Sequence, residues 1–131
     1  MGLDMFLIGT IRPTEKSIKH DSREVMRLDV ELGTWRKHPN LHGFIVNSFA
    51  PLDAEKKPID DCEPISLGKQ QVKDIASAIE RDILPHTEGF FFGRSDGSER
   101  ASDLQIFWQA LTWLESCPGD ERRSVYYQAS W

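Results

Sequence analysis

Residues 26–32 read Met-Arg-Leu-Asp-Val-Glu-Leu, an unbroken alternation of apolar and charged side chains. Successive side chains of a β-strand point to opposite faces, so this period of two is typical of a strand with one buried and one solvated face. We therefore predict a strand over residues 24–34. The same reasoning predicts strands over residues 3–10 and 123–131, and a short strand over residues 63–67.

Three other segments follow the 3.6-residue period of an amphipathic helix. In residues 69–84, valine and isoleucine recur at every third or fourth position, and Pro85 ends the pattern. Similar spacing predicts helices over residues 41–49 and 102–116. Strands and helices do not alternate regularly along the chain, which disfavours a parallel sheet. We predict one α+β domain over residues 1–131, with an antiparallel sheet and about three helices packed on one side of it.

Composition restricts the classes of partner. The chain has 131 residues and a formal net charge of −5, which disfavours nucleic acid because affinity for a phosphate backbone comes from clustered Lys and Arg. No apolar run approaches the about 18 residues that a membrane span needs, so no membrane partner is expected. The first residues lack the features of an export signal. We expect a cytoplasmic protein in which Cys62 and Cys117 stay reduced; oligomeric state and cofactors are not indicated.

Residues 33–43 are the densest functional-looking stretch. An indole, a guanidinium, an ammonium and an imidazole come from Trp35, Arg36, Lys37 and His42. Arg binds carboxylate or phosphate with two parallel hydrogen bonds, and the start of the predicted helix adds positive potential. These residues favour a pocket for a small anionic or nucleotide-like ligand. The competing interpretation is a strand-to-helix corner in which the indole fills the core and the cations are solvated.

Two histidines in this stretch suggest a metal ion at first sight. His38 and His42 are four residues apart, the spacing that lets two helical side chains reach one ion, but Pro39 places His38 before the helix begins. Further ligands would have to come from Asp60, Asp61, Cys62 and His86. Because no Cys-x-x-Cys or His-Glu-x-x-His motif accompanies them, we predict no metal site.

Catalysis requires a positioned acid, base or nucleophile, and the pair worth considering is His42 with Cys62 or Asp61. The simpler interpretation makes Cys62 a small buried apolar residue. The chain contains no Gly-x-Ser-x-Gly elbow and no nucleotide-binding Gly-x-x-x-x-Gly-Lys loop. Hydrolase and kinase chemistry therefore has no support from motifs.

Two further segments supply candidate ligand-binding side chains. In the Gly-Phe-Phe-Phe-Gly of residues 89–93, Phe91 serves either the core, the wall of a pocket or contact with a protein partner. In the C-terminal strand, Gln128 and Ser130 share one face. If that strand pairs beside the first, these two side chains face Asp4, and we predict that Arg36 and His42 reach the same cleft. The alternative is that both face water at the chain's end.

Five ordered motifs resemble a family of small bacteriophage, prophage and bacterial proteins. They are Met-Gly-Leu-Asp-Met at residues 1–5, Trp-Arg-Lys at 35–37 followed by His42, Asp-Asp-Cys at 60–62, Leu-Pro-x-Thr-x-Gly-Phe-Phe-Phe-Gly at 84–93 and Tyr-Tyr-Gln-x-Ser-Trp at 126–131. The resemblance covers nearly the whole chain but implies no particular reaction. Many members have Ala-Asn-Gln-Ile-His-Lys-Trp where residues 38–44 here read His-Pro-Asn-Leu-His-Gly-Phe, so only His42 carries over there.

The resemblance singles out the motif residues as the candidates for a functional role. They are Asp4, Trp35, Arg36, Lys37, His42, Asp61, Cys62, Phe91, Gln128, Ser130 and Trp131. Three classes of function are compatible with them: a protein that binds a small anionic ligand, a phage accessory protein that contacts a host protein, and an enzyme of unknown reaction. The first is favoured because the candidate residues come from several distant segments, as those of a pocket do.

Overall fold

A computed structural model describes residues 2–13, 18–88, 93, 95, 97–119 and 121–131. These residues form six strands and three helices. In chain order they are β1 (Asp4–Pro13), β2 (Ile18–His20), β3 (Arg23–Val25), β4 (Leu28–Arg36), α1 (Pro39–Phe49), β5 (Ile65–Leu67), α2 (Lys69–Glu80), α3 (Arg100–Glu115) and β6 (Glu121–Ser130).

The main sheet has four strands in the order β4-β1-β6-β5, and every neighbouring pair is antiparallel. The N-terminal strand β1 therefore lies in the middle, between β4 and the C-terminal strand β6. The predicted α+β class and antiparallel sheet are confirmed.

The predicted strand over residues 24–34 is wrong in one respect, because Met26 and Arg27 interrupt it. Residues 23–25 belong instead to a hairpin of β2 and β3. Its turn residues, Asp21 and Ser22, have φ of 51° and 65°, the positive values that a tight type I′ hairpin requires.

The helix predicted over residues 69–84 ends earlier, at Glu80. Asp82 adopts a φ of 55°, a left-handed conformation that a helix cannot continue through. The guanidinium of Arg100 donates hydrogen bonds to the carbonyls of Ile79 and Glu80. These bonds satisfy carbonyl groups that the end of the helix leaves without intrahelical partners.

Strand alternation divides the sheet into an inner face, covered by the helices, and an outer face. The inner face carries odd-numbered residues of β1 and β6, and these form one core with side chains of all three helices. Its strand members include Met5, Leu7, Val125, Tyr127 and Ala129. The outer face carries even-numbered residues of the same strands.

Helix α1 determines where two histidines lie. Pro39 occupies its first position, where the missing backbone N–H costs nothing, so His38 precedes the helix and His42 lies inside its first turns. Because Gly43 has no side chain, α1 packs closely against Thr87. A Cβ at position 43 would lie 2.0 Å from Thr87 Oγ1. In the part of the chain that the structure describes, no helix has the length and apolar character needed to cross a bilayer.

Candidate functional site

Trp35 lies in the core instead of lining a ligand pocket. Its ring is 9% exposed and stacks on Phe107 with ring centroids 5.6 Å apart. Its Nε1–H donates to Asp103 Oδ1 at 2.6 Å. Lys37 at the same corner adopts a φ of 58°, and its backbone N–H donates to the Leu3 carbonyl. The corner therefore anchors β4 to the start of β1 and to α3.

Asp4, Arg36 and Ser130 meet on the outer face. Asp4 is the direct cross-strand partner of both other residues, as the predicted pairing of the first and last strands requires. Arg36 Nε lies 3.8 Å from Asp4 Oδ1, with the two side chains 72% and 51% exposed. An ion pair this exposed contributes at most about 1 kcal/mol, so it positions the side chains only weakly.

His42 lies on the other side of the sheet. It is 2% exposed, and its Nδ1 is hydrogen-bonded to the Tyr127 hydroxyl at 2.6 Å. Its Nε2 lies 3.1 Å from each carboxylate oxygen of Asp60, and Trp131 packs edge-on against the ring. Burial raises the pKa of Tyr127 above its ordinary value, and the negative charge of Asp60 adds to the effect.

The prediction that Asp4, Arg36 and His42 share one cleft is therefore wrong. The partner of His42 is Tyr127, on the inner face of β6, whereas Asp4 and Arg36 are on the outer face. Successive strand residues alternate between faces, so the backbone of the sheet separates them. The described carboxylate bonded to His42 is Asp60, adjacent in sequence to the predicted Asp61.

Asp61 and Cys62 line the same small cavity as His42. Its volume is about 10 Å³, the space of one water molecule at most. Asp61 accepts the backbone N–H of Glu63, and the Cys62 carbonyl accepts Gln128 Nε2–H at 3.3 Å. The second contact holds the loop before β5 against β6. Phe91 lies outside the described residues.

The imidazoles of His38 and His42 are turned to different partners. His38 contacts Asp103 of α3, and His42 contacts Asp60 and Tyr127. Among the residues that the structure describes, no three His, Cys, Asp or Glu side chains come together in a group that could hold a metal ion.

A wide depression crosses the outer face, which we call the outer groove. Its volume is about 430 Å³. Strands β1, β5 and β6 form its floor, and the link between β3 and β4 contributes one wall. Its lining residues are Thr10, Arg12, Arg27, Pro64, Ser66, Ser124, Val125, Tyr126 and Gln128.

The ionisable side chains that line the outer groove include two arginines, in a protein of net charge −5. Arg12 and Arg27 both line it, and none of its described lining residues carries a carboxylate. Arg122 is the direct cross-strand partner of Arg12. Arg27 contacts Asp29 at 3.3 Å, whereas Arg12 and Arg122 form no ion pair with any described residue. Like charges opposite one another on a sheet destabilise it.

Sequence reasoning found one member of this groove, Gln128, and missed the arginines. The predicted first strand ended at Thr10, but β1 continues to Pro13 and so carries Arg12 onto the outer face. The sequence did contain a signal for the floor of the groove: strand alternation places Tyr126 on the same face as Gln128, opposite to Tyr127.

Comparison of the chain with protein-family models, curated proteins and solved structures gives no match.

Proposed function

We propose that this protein binds a small anionic molecule in the outer groove. The observation that carries the proposal is the cross-strand pair of Arg12 and Arg122, with Arg27 beside the same groove. Guanidinium groups bind phosphate or carboxylate with paired, charge-assisted hydrogen bonds. A bound anion would also relieve the repulsion between the two arginines.

The remainder of the groove suits an organic ligand. Its volume of about 430 Å³ falls within the about 300–1,000 Å³ of small-molecule sites. Its lining includes four residues that carry hydroxyl groups, Thr10, Ser66, Ser124 and Tyr126. Gln128 is oriented by its hydrogen bond to the Cys62 carbonyl. We infer that an anionic head is held by Arg12 and Arg27 while a flat organic part lies along Tyr126.

The size of the positive region favours a small anion over a polyanion. The protein as a whole is acidic, with 21 Asp and Glu against 16 Lys and Arg. A nucleic acid extending beyond the groove would meet this negative surface, which lowers affinity. A phosphorylated or carboxylated metabolite places its charge inside the groove alone.

The proposal is tested by isothermal titration of the protein with pyrophosphate, AMP and citrate at low salt. Binding of at least one probe is expected, and Arg12→Gln and Arg27→Gln should each weaken it about 10-fold or more, because a hydrogen bond to a charged group contributes about 1.5–3 kcal/mol. Absence of binding by all three probes, or binding that neither substitution changes, would contradict the proposal.

Arg36→Ala is the matched control and tests the competing position for the anion. Arg36 is opposite Asp4, eight residues from Arg12 along β1, which is roughly 25 Å at the rise of a strand. An anion in the outer groove leaves the affinity of this variant unchanged. A loss confined to Arg36→Ala would instead support the corner that the sequence favoured.

A further inference from the structure

A hydrogen-bonded chain of Ser95, His38 and Asp103 lies on the helical side of the sheet, which we call the Ser95 relay. Ser95 Oγ lies 2.7 Å from His38 Nδ1, and His38 Nε2 lies 2.6 Å from Asp103 Oδ2. His38 and Asp103 are 4% and 1% exposed. Ser95 is half-buried, so the relay runs from the core to a residue that is only partly covered.

The partners at the two ends determine the direction of the protons. Trp35 Nε1–H donates to the other oxygen of Asp103 at 2.6 Å, and an indole nitrogen cannot accept. At the far end, the backbone N–H of Asn40 donates to Ser95 Oγ at 3.1 Å. With Asp103 ionised, neutral His38 carries its proton on Nε2, and Nδ1 is left to accept the proton of Ser95.

The relay opens into a cleft of about 60 Å³. Ser95, His38, Asn40 and Asp103 all line it. Helix α1 has its positive end here, since Asn40 lies in its first turn. A nucleophile, a base and a source of positive potential therefore surround one small space, which is the arrangement that acyl transfer requires.

We propose that Ser95 is a nucleophile that cleaves small esters in this cleft, with His38 as its general base. Ser95 Oγ attacks the carbonyl carbon and passes its proton to His38 Nδ1. The bond to the leaving oxygen then breaks, and that oxygen takes the proton from His38. Water attacks the acyl-serine with the same help from His38, releasing a carboxylic acid and restoring the serine. Asp103 holds the imidazole in the required tautomer and stabilises its charged form.

The walls of the cleft indicate the charge of the substrate. The acidic residues Asp82 and Glu99 line it, and Glu99 Oε2 is buried with no hydrogen-bond partner among the residues that the structure describes. The guanidinium of Arg100 is held by carbonyls at the end of α2. An uncharged or cationic ester fits these walls better than an anionic one, so this site and the outer groove select different molecules.

Covalent labelling with a fluorophosphonate reagent tests the proposal directly. Attack by Ser95 Oγ on phosphorus releases fluoride and leaves a stable adduct that peptide mass spectrometry places on one residue. Wild type should be labelled at Ser95 and Ser95→Ala should not. Asp103→Asn is expected to slow labelling about 100-fold or more, since the amide N–H₂ facing His38 forces the tautomer that donates to Ser95.

Ser102→Ala serves as the matched control, since Ser102 is an exposed hydroxyl on the first turn of α3 bonded to the Glu99 carbonyl. It should be labelled at the wild-type rate. Circular dichroism of each variant separates loss of the nucleophile from loss of the fold. A folded wild type that is not labelled, or labelling at Ser95 that Asp103→Asn leaves unchanged, would overturn the proposal and make the relay a purely structural network.

Discussion

Arg12 and Arg122 are direct cross-strand neighbours on the outer face, and neither forms an ion pair with a described residue. Two guanidinium groups so placed repel each other unless an anion lies between them. This relationship has a measurable consequence for stability, in addition to its role in the proposed site.

Arg12→Glu should raise the free energy of unfolding in low salt, by about 0.5–1 kcal/mol, because it replaces a repulsive cross-strand pair with an attractive one. The measurement is urea denaturation at two ionic strengths, and the gain should shrink at high salt. Arg36→Glu is the control, since it would face Asp4 and should destabilise. Equal effects of the two substitutions would contradict the assignment of repulsion to Arg12 and Arg122.

Asp29→Asn should strengthen anion binding in the outer groove about two- to five-fold. Asp29 pairs with Arg27 at 3.3 Å, and neutralising it releases the guanidinium for a ligand, a gain of the size of an exposed ion pair. Titration with the tightest-binding probe provides the measurement. Asp4→Asn, which removes the partner of Arg36 instead, should leave affinity unchanged. A weaker complex after Asp29→Asn would show that Asp29 itself supports the ligand.

Tyr127→Phe should reduce the loss of the free energy of unfolding that occurs at alkaline pH. Burial, with a contribution from Asp60, raises the pKa of Tyr127 above its ordinary value of 10.0. The unfolded chain then ionises first, so the stabilisation is fully present below pH 10 and is lost as pH rises, at up to about 1.4 kcal/mol per pH unit. Thermal denaturation between pH 8 and 11 measures the slope. Tyr126→Phe keeps the buried phenol and should retain the steep loss.

Asp103→Ala should cost about 3 kcal/mol or more. The carboxylate accepts hydrogen bonds from Trp35 and His38 in the core, and its removal leaves two buried donors without acceptors. Asp60→Ala is the comparison, because that carboxylate is 35% exposed and water can replace it at His42. Chemical denaturation measures both. Similar losses in the two variants would contradict the importance given to burial.

Gly43→Ala should destabilise by about 1–3 kcal/mol, the cost of overpacking. The added Cβ would lie 2.0 Å from Thr87 Oγ1, and Asn40 Oδ1 holds the Thr87 backbone by accepting its N–H. A Cβ at Gly119 meets no described atom within 4 Å, so Gly119→Ala is the control for the change itself. If both variants unfold at the same urea concentration as wild type, the contact between α1 and Thr87 is not tight.

The local periodicity of apolar residues in the sequence was sufficient to predict the α+β class of the fold. The alternation in residues 26–32 and the helical spacing in residues 69–84 reflect the side-chain periods of a strand and a helix. These periods repeat every two to four residues, so they can be read directly from a sequence. Chain breaks were harder to predict, because the interruption at Met26 and Arg27 and the end of α2 at Glu80 follow from single backbone angles and from Arg100, twenty residues away.

The candidate sites depended on tertiary structure. Arg12 meets Arg122 through the register of β1 and β6, and His38 meets Ser95 and Asp103 at separations of 57 and 65 residues. Residue type and spacing indicated that His42 would have polar partners. The packing of α1 on β6 decided on which side of the sheet His42 lies. The sequence by itself thus determined the fold class and the main strands and helices; pairing register and helix packing decided which side chains meet, because those depend on segments far apart in the chain.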